Sequence, residues 1–314
     1  MVTNIKFRRS GISLIEVLVV IGIIGILISL LIPAVQKIRA AAARASCQNN
    51  LRQMGLAMMM FHNAKDHFPP GSASFDSKTE ELPFLSYLPH LLPYLEQESL
   101  YNQAVKACLL SRYDPNNDPP HIGNLVIKMF GCPADNRVSE PTLFPSPLYS
   151  HESLVKQYGL TSYLGIVGLA TYLTSSSETG VLYNYSKVRI LDITDGTSNT
   201  AMVGERPPFI NPEITPPYGK WYAGTYVNPL LGVRNRCESW IQKCPFICEQ
   251  NAQHFKDGKL DNFCDAFHFW SLHSGGANFL FADGSVHFLP YAADLIMPAL
   301  ATRAGGETIS GEFY

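Results

Sequence analysis

A single acidic residue, Glu16, lies within a long apolar segment close to the N-terminus. The segment runs from Ile12 to Ile32, and its roughly 21 residues form about 30 Å of α-helix, which is enough to cross a bilayer. A carboxylate inside such a helix costs about 2.5–3.5 kcal/mol, so it needs a neutralising partner. We expect this partner to be an amino group on Ile12, created by cleavage after Gly11. The alternative is a protonated Glu16, or one whose side chain reaches the helix end.

A second set of candidate residues lies near the C-terminus, where nine residues separate His273 from Asp283-Gly284. The imidazole and the carboxylate could form a catalytic or metal-binding pair, but catalysis also needs a nucleophile and a base within hydrogen-bond reach. The sequence carries no signature of such a pair, so we predict a structural role and no enzyme activity. In that interpretation Asp283-Gly284 forms a type I′ turn, and His273 and Asn278 bond backbone groups in the loop before the strand.

Four of the seven cysteines cluster late in the chain, together with His254 and His268. A zinc site would prefer two pairs of closely spaced ligands, and only one pair in this cluster approaches that spacing. Disulfides are favoured instead if the domain is exported, because they persist in oxidising compartments. Two bridges are expected among Cys237, Cys244, Cys248 and Cys264, and the sequence does not determine which cysteines pair.

Two further regions could bind a ligand, although each has a structural explanation. The segment from Asp192 to Glu205 is rich in side-chain oxygens that could hold calcium, but its spacing is not that of an EF-hand loop. A turn in which Asp and Asn bond their own backbone explains it equally well, and we predict no metal or other cofactor. An aromatic cluster could line a glycan or peptide groove, although such residues are more often core. It comprises Trp221, Tyr222, Trp240, Phe263, Phe267, Phe269 and Trp270.

Helices that position these residues are predicted from periodicity and from turn signals. The apolar helix should continue to between His62 and Lys65, because Phe68-Pro-Pro-Gly71 cannot extend it. Its second half carries an apolar stripe suited to packing on a sheet, formed by Cys47, Leu51, Met54, Met58 and Phe61. Further helices are predicted over Leu91–Leu110 and Tyr291–Arg303.

Short strands punctuated by Gly, Pro and Ser are predicted in the rest of the chain, with a hairpin around Asp283-Gly284. The pattern indicates an α+β fold in which the long helix packs on a mostly antiparallel sheet. The domain boundaries are a leader at 1–11, the helix at 12–65 and an α+β domain at 66–314. The strands are Leu125–Phe130, Ser162–Val167, Val181–Ile190, Thr200–Gly204, Gly219–Thr225, Ala277–Ala282 and Ser285–Leu289.

The N-terminal segment resembles the processing site of type IV prepilins and type II secretion pseudopilins. The resemblance rests on residues 9–18, which read Arg-Ser-Gly-Ile-Ser-Leu-Ile-Glu-Val-Leu. It implies that a prepilin peptidase cuts between Gly11 and Ile12 and methylates the new N-terminus, and that Glu16 serves subunit assembly. Ile12 departs from the Phe that family members usually carry. The basic residues on the two sides of the helix nearly balance, so only the resemblance implies a cytoplasmic N-terminus and an exported C-terminal domain.

Blocks along nearly the whole chain also resemble a family of large exported prepilin-type proteins with a C-terminal motif of His, nine residues and Asp-Gly. The resemblance implies an architecture and a surface location but supplies no activity. Two of its blocks contain Cys47 and Cys132, so a bridge between them that ties the long helix to the sheet is expected. With seven cysteines, at least one stays free or pairs between molecules, and Cys108, in a predicted helix, is the candidate. The blocks are Cys47–Leu56, Phe68–Gly71, Leu92–Gln97, Phe130–Asp135, Asp195–Thr200 with Gly204-Glu205, and His273–Val286.

These observations favour a pilin-like or pseudopilin-like structural subunit anchored in the inner membrane by one helix. Its expected partners are a prepilin peptidase, the membrane, and other pilin-like subunits or further copies of the chain. A net charge of -2 gives no indication of nucleic-acid binding. The alternatives are a membrane-anchored module that captures a ligand outside the cell and, less favoured, an exported enzyme that uses His273 and Asp283.

Overall fold

A computed structural model of the chain describes residues 14–73, 85–110, 122–145, 155–170, 178–211, 215–222, 229–235, 248 and 252–307. The chain divides into two compact units, residues 1–43 and 44–314. We refer to residues 44–314 as the C-terminal unit and describe the two units separately.

The first unit contributes the N-terminal part of helix α1, which spans Leu14–Lys65 and includes Pro33. Side chains from Leu14 to Ala42 are exposed, although most of them are apolar. The helix is long and apolar enough to cross a membrane, and none of its most apolar stretch is buried by protein. Lipid is the solvent in which such a surface is stable.

Helix α1 continues into the C-terminal unit, where the predicted apolar stripe is buried. Its members Cys47, Leu51, Met54, Met58 and Phe61 all lie in the core. The helix ends within the predicted range, since Asp66 takes a left-handed conformation with φ 61° and its N–H donates to His62 O at 2.7 Å. This is a common way of satisfying a carbonyl at a helix C-terminus.

A five-stranded sheet forms the centre of the C-terminal unit, with the order β7-β3-β4-β8-β9. All neighbouring strands are antiparallel except β3 and β7, so the predicted α+β class with a mostly antiparallel sheet is confirmed. Two small two-stranded sheets, β1-β2 and β5-β6, lie outside it. The strands are β1 Thr142–Pro145, β2 Val155–Tyr158, β3 Tyr163–Ile166, β4 Ala201–Glu205, β5 Phe209–Asn211, β6 Thr215–Tyr218, β7 Leu230–Leu231, β8 Gly276–Phe281 and β9 Val286–Pro290.

Both faces of this sheet are covered. Alternate residues of β8 divide between two core clusters: Leu280 packs with the stripe of α1, whereas Phe279 and Phe281 pack with Met297 and other C-terminal residues. This alternation follows from the two-residue period of a strand. Asn278 shares its face with Leu280, so the strand directs a polar side chain towards α1.

The predicted helix over Leu91–Leu110 is interrupted. Helix α2 spans Tyr87–Leu91, a 3₁₀ helix follows at Leu92–Leu95, and helix α3 spans Glu98–Leu110. Pro93 cannot continue an α-helix from α2 because its ring clashes with the preceding turn, and Glu96 then adopts φ 61°. The C-terminal helix is shorter than predicted: a 3₁₀ helix at Tyr291–Ile296 leads into α4, Met297–Ala301.

Two of the predicted strands are wrong, and a third forms no strand in its described part. Leu125–Phe130 contains a 3₁₀ helix at Lys128–Phe130, and Val181–Ile190 forms no strand. The described part of the third, Gly219–Tyr222, makes one isolated bridge between Leu160 and Lys220. Apolar residues in these segments enter the core without joining a ladder, as Val181, Leu182 and Val188 do.

Candidate functional site

The candidate assembly residue, Glu16, lies in the first turn of α1. No Lys or Arg occurs in the sequence between Leu14 and Gln36. A negative side chain in the first turn suits the helix dipole. The processing residues Gly11 and Ile12 lie outside the described residues.

A second candidate site is buried in the C-terminal unit around Glu205, the last residue of β4. Asn278 of the adjacent strand β8 holds both of its carboxylate oxygens: the backbone N–H donates to Oε2 at 2.8 Å and Nδ2 donates to Oε1 at 2.9 Å. Glu205 is only 1% exposed. Two strands therefore fix one buried carboxylate, because a charge removed from water must be hydrogen-bonded.

His273 lies against this carboxylate from the loop that leads into β8. Its Nε2 is 3.5 Å from Glu205 Oε1 and 3.5 Å from Cys132 Sγ. The loop is held by Ser271, whose Oγ accepts from the His273 N–H at 3.0 Å and donates to Gly276 O at 2.7 Å. The backbone at this position thus orients the imidazole towards the interior.

Cys47 of α1 and Cys132 form a disulfide, as the family resemblance implies, with Cα atoms 5.3 Å apart. Cys132 lies in the turn after the 3₁₀ helix at Lys128–Phe130, and its N–H donates to Ser162 Oγ at 3.1 Å. The bridge therefore ties the long helix to a turn beside the sheet. The prediction that this bridge ties the helix to the sheet itself is corrected, because Cys132 lies outside the strands.

Helix α1 contributes two further polar contacts next to Cys47. Gln48 Nε2 donates to Asn278 Oδ1 at 3.0 Å, and Asn50 Nδ2 donates to Gly131 O at 3.2 Å and to Tyr163 Oη at 3.3 Å. Burial raises the pKa of Tyr163, the negative charge of Glu205 raises it further, and the hydrogen bond from Asn50 opposes the change. The phenol therefore stays neutral and serves as a hydrogen-bond partner of α1.

A small cavity of about 10 Å³ adjoins this cluster. Its volume is close to that of a single water site. It is lined by Cys132, Asp135, Ser162, Glu205, Pro207, Ser271 and Leu272.

The motif residues take roles that differ in part from those predicted. Asn278 and His273 direct their side chains at Glu205 and its neighbours, whereas backbone partners were expected. The β8-β9 hairpin is present, but its turn is not the predicted two-residue type I′. Phe281 and Ser285 close a three-residue loop in which only Gly284 has positive φ, 85°. Asp283 Oδ1 accepts from the Ser285 N–H at 2.8 Å, and the left-handed glycine follows the usual pattern for a three-residue hairpin loop.

The late cysteine cluster provides one disulfide within the described residues, between Cys248 and Cys264. Cys237 and Cys244 lie outside them. The two histidines considered as zinc ligands bond elsewhere: His254 Nδ1 contacts Asp294, and His268 Nε2 contacts Asp265, each at 2.9 Å. Cys108 is free and buried, and burial raises its pKa to about 11, so it stays a thiol at neutral pH.

The oxygen-rich segment and the aromatic cluster also have structural partners. Asp192 pairs with Arg189, whereas the Asp195 carboxylate accepts the N–H groups of Gly305 and Gly306. With Glu205 bound to Asn278, these three carboxylates have separate partners. The described aromatic residues, which exclude Trp240, are in the core: Trp221, Tyr222, Phe263, Phe267, Phe269 and Trp270.

The sequence alone did not predict that the residues around Glu205 lie together in the fold. Gln48, Cys132, Glu205 and His273 come from four separate blocks of the family resemblance. The blocks were the available signal, but a single sequence does not indicate which of them meet in space.

Two parts of the chain match known protein families. Residues 6–32 match the prokaryotic N-terminal methylation motif, so the chain has a prepilin-type N-terminus. Residues 36–295 match the family described as a protein of unknown function, DUF1559. The chain belongs to that family. Neither a curated protein nor a solved structure matches it.

Proposed function

We propose that the protein is a membrane-anchored, pilin-like structural subunit that is processed by a prepilin peptidase. Cleavage between Gly11 and Ile12 leaves α1 on the mature chain with a methylated amine at its start. The N-terminus of the precursor is cytoplasmic, and the C-terminal unit is exported to the periplasm or the cell surface. The observation that carries the proposal is that the methylation motif overlaps the most apolar stretch of α1, whose side chains no protein buries.

Assembly follows from the position of Glu16. Helices of neighbouring subunits pack in the membrane, and the Glu16 carboxylate pairs with the Ile12 amine of the same or an adjacent chain. An unpaired carboxylate in lipid is costly, so the pairing sets the register between helices. The product is a type IV pilus-like or type II secretion-like filament.

No catalytic role is part of this proposal. His273 is 7% exposed, and the adjoining cavity has a volume close to that of a single water site. Asp283 is used by the hairpin turn. The His-x9-Asp-Gly motif therefore serves to build the domain.

Processing is tested by mass spectrometry of the full chain extracted from membranes of a host with a prepilin peptidase. The expected N-terminus is N-methylated Ile12. A chain that retains Met1–Gly11, or one that lacks the apolar helix, would contradict the proposal.

Assembly is tested separately with Glu16→Gln, which removes the charge and keeps the shape. The variant should be cleaved normally but be at least about tenfold depleted from a sheared filament fraction, since loss of a charge pair in lipid weakens packing. Glu98→Gln, at an exposed position of α3, is the matched control and should assemble like the wild type. Equal incorporation of Glu16→Gln would refute the assembly role.

A further inference from the structure

The buried cluster in the C-terminal unit contains four side chains of types that ligate metals. One ligand atom from each of Cys47, Cys132, Glu205 and His273 lies within 4.8 Å of the other three, and all four residues are buried. Among the described residues this is the group of His, Cys, Asp and Glu side chains that converges in this way. Its members are Sγ, Sγ, a carboxylate oxygen and Nε2.

The distances fit a tetrahedral ion. Zinc binds sulfur at about 2.3 Å and nitrogen or carboxylate oxygen at about 2.0–2.2 Å, so adjacent ligands lie about 3.3–3.8 Å apart. His273 Nε2 is 3.5 Å from both Cys132 Sγ and Glu205 Oε1. The two sulfur atoms are the exception, because the disulfide holds them at bonding distance. After reduction, the distance between Cys47 Sγ and Cys132 Sγ would have to increase by about 1.7 Å for both to bind one ion.

A second layer of hydrogen bonds already orients the ligands. Asn278 holds both oxygens of Glu205, and Gln48 holds Asn278. An ionised carboxylate oxygen has two lone pairs, so Glu205 Oε1 can accept from Asn278 and still bind a cation. Such outer partners fix ligand geometry in metal sites.

We propose that the dithiol form of the chain binds one zinc-type divalent ion through Cys47, Cys132, His273 and Glu205, and that disulfide formation abolishes the site. Binding displaces one proton from each thiol, and both protons go to solvent. Oxidation of the metal-bound dithiolate removes two electrons, forms the S–S bond and releases the ion. A disulfide oxidant takes up these two electrons, together with two protons from solvent, as it becomes a dithiol. The chain is synthesised with thiols, so the dithiol form precedes the bridge.

Four protein ligands in a buried position leave no open coordination site, which is the pattern of a structural metal. The ion would hold α1 against the turn at Cys132 before oxidation, and the disulfide would do so afterwards.

The test uses the full chain in detergent, reduced with a phosphine, desalted without oxygen and titrated with cobalt(II). The expected result is one tetrahedral, thiolate-ligated cobalt that zinc displaces and that disulfide oxidation prevents. His273→Ala and Glu205→Gln should each weaken binding by at least about tenfold. The matched control is the Cys248→Ser/Cys264→Ser double variant, which removes the other described bridge and should bind cobalt like the reduced wild type.

A second measurement avoids variants that fail to fold. In the reduced wild-type chain, zinc should slow the alkylation of Cys47 and Cys132, but not of Cys248 and Cys264, as read by peptide mass spectrometry. Equal alkylation of Cys47 and Cys132 with and without zinc would overturn the proposal. Cobalt bands that are absent from the reduced chain, or unchanged by His273→Ala and Glu205→Gln, would also overturn it.

Discussion

Asn278 links several buried polar groups of the C-terminal unit through hydrogen bonds. Its amide and its backbone N–H both donate to the buried Glu205 carboxylate, and its Oδ1 accepts from Gln48 of α1. Because β8 is buried along its whole length, bulk solvent does not reach these bonds. One side chain thus links helix, sheet and carboxylate.

Replacing Asn278 by alanine should therefore lower the free energy of unfolding of the C-terminal unit by about 1–3 kcal/mol, the usual cost of leaving a buried polar group without its partner. The measurement is the denaturant midpoint of the oxidised full chain in detergent, followed by tryptophan fluorescence.

The matched control for this variant is Asn136→Ala, at an exposed position, which should change the free energy by no more than about 0.5 kcal/mol. Equal midpoints for the two variants would show that the Asn278 network does not stabilise the unit.

At the scale of elements, Gly55 sets how closely α1 approaches the hairpin. A Cβ atom at this position would lie 2.7 Å from Leu280 Cδ1 and 3.5 Å from the Gly284 backbone. Glycine inside a helix is less favourable than alanine by roughly 1 kcal/mol, so the close packing here compensates for a poor helix former.

Gly55→Leu should destabilise the C-terminal unit by about 1–3 kcal/mol, because the added side chain has no space between α1 and β8. Helix propensity alone predicts the opposite sign, which makes the direction of the change diagnostic. Thermal unfolding of the full chain provides the measurement.

Ala64→Leu places the same side chain at an exposed position of the same helix and serves as the control. It should leave the transition nearly unchanged. If Gly55→Leu raised the transition temperature, this would contradict the claim that α1 and β8 pack too closely to admit a side chain at position 55.

At the scale of the whole molecule, the two disulfides between described cysteines close loops of very different length. Cys47 and Cys132 are separated by 85 positions, whereas Cys248 and Cys264 are separated by 16. The entropy removed from the unfolded chain grows with the logarithm of loop length. The first bridge also joins α1 to the turn beside the sheet, so it constrains the unit more broadly.

Cys132→Ala should lower the free energy of unfolding by more than Cys264→Ala, with a difference of about 1–1.5 kcal/mol from loop length. Chemical denaturation under oxidising conditions measures both. With reductant and a metal chelator present, the difference that is due to the bridges should disappear. A larger loss for Cys264→Ala under oxidising conditions would contradict the loop-entropy account.

Local patterns in the sequence predicted the elements that depend on local interactions. The apolar stripe of α1 and the β8-β9 hairpin are examples, because each is specified by residues a few positions apart. Prediction failed where apolar residues serve the core without a regular period, as in Val181–Ile190, and where a proline divided the helix around Pro93. In these segments tertiary burial outweighs local propensity.

The sequence by itself determined the membrane-spanning length of the N-terminal helix, the position of Glu16 within it and the residue types available for bridges. Only the tertiary structure decided that Cys47, Cys132, Glu205 and His273 share one buried site and that Asn278 faces Glu205. The physical reason is that bilayer length and periodicity are properties of consecutive residues. The site, in contrast, is formed where the packing of α1, β4 and β8 removes distant polar groups from water and requires them to bond one another.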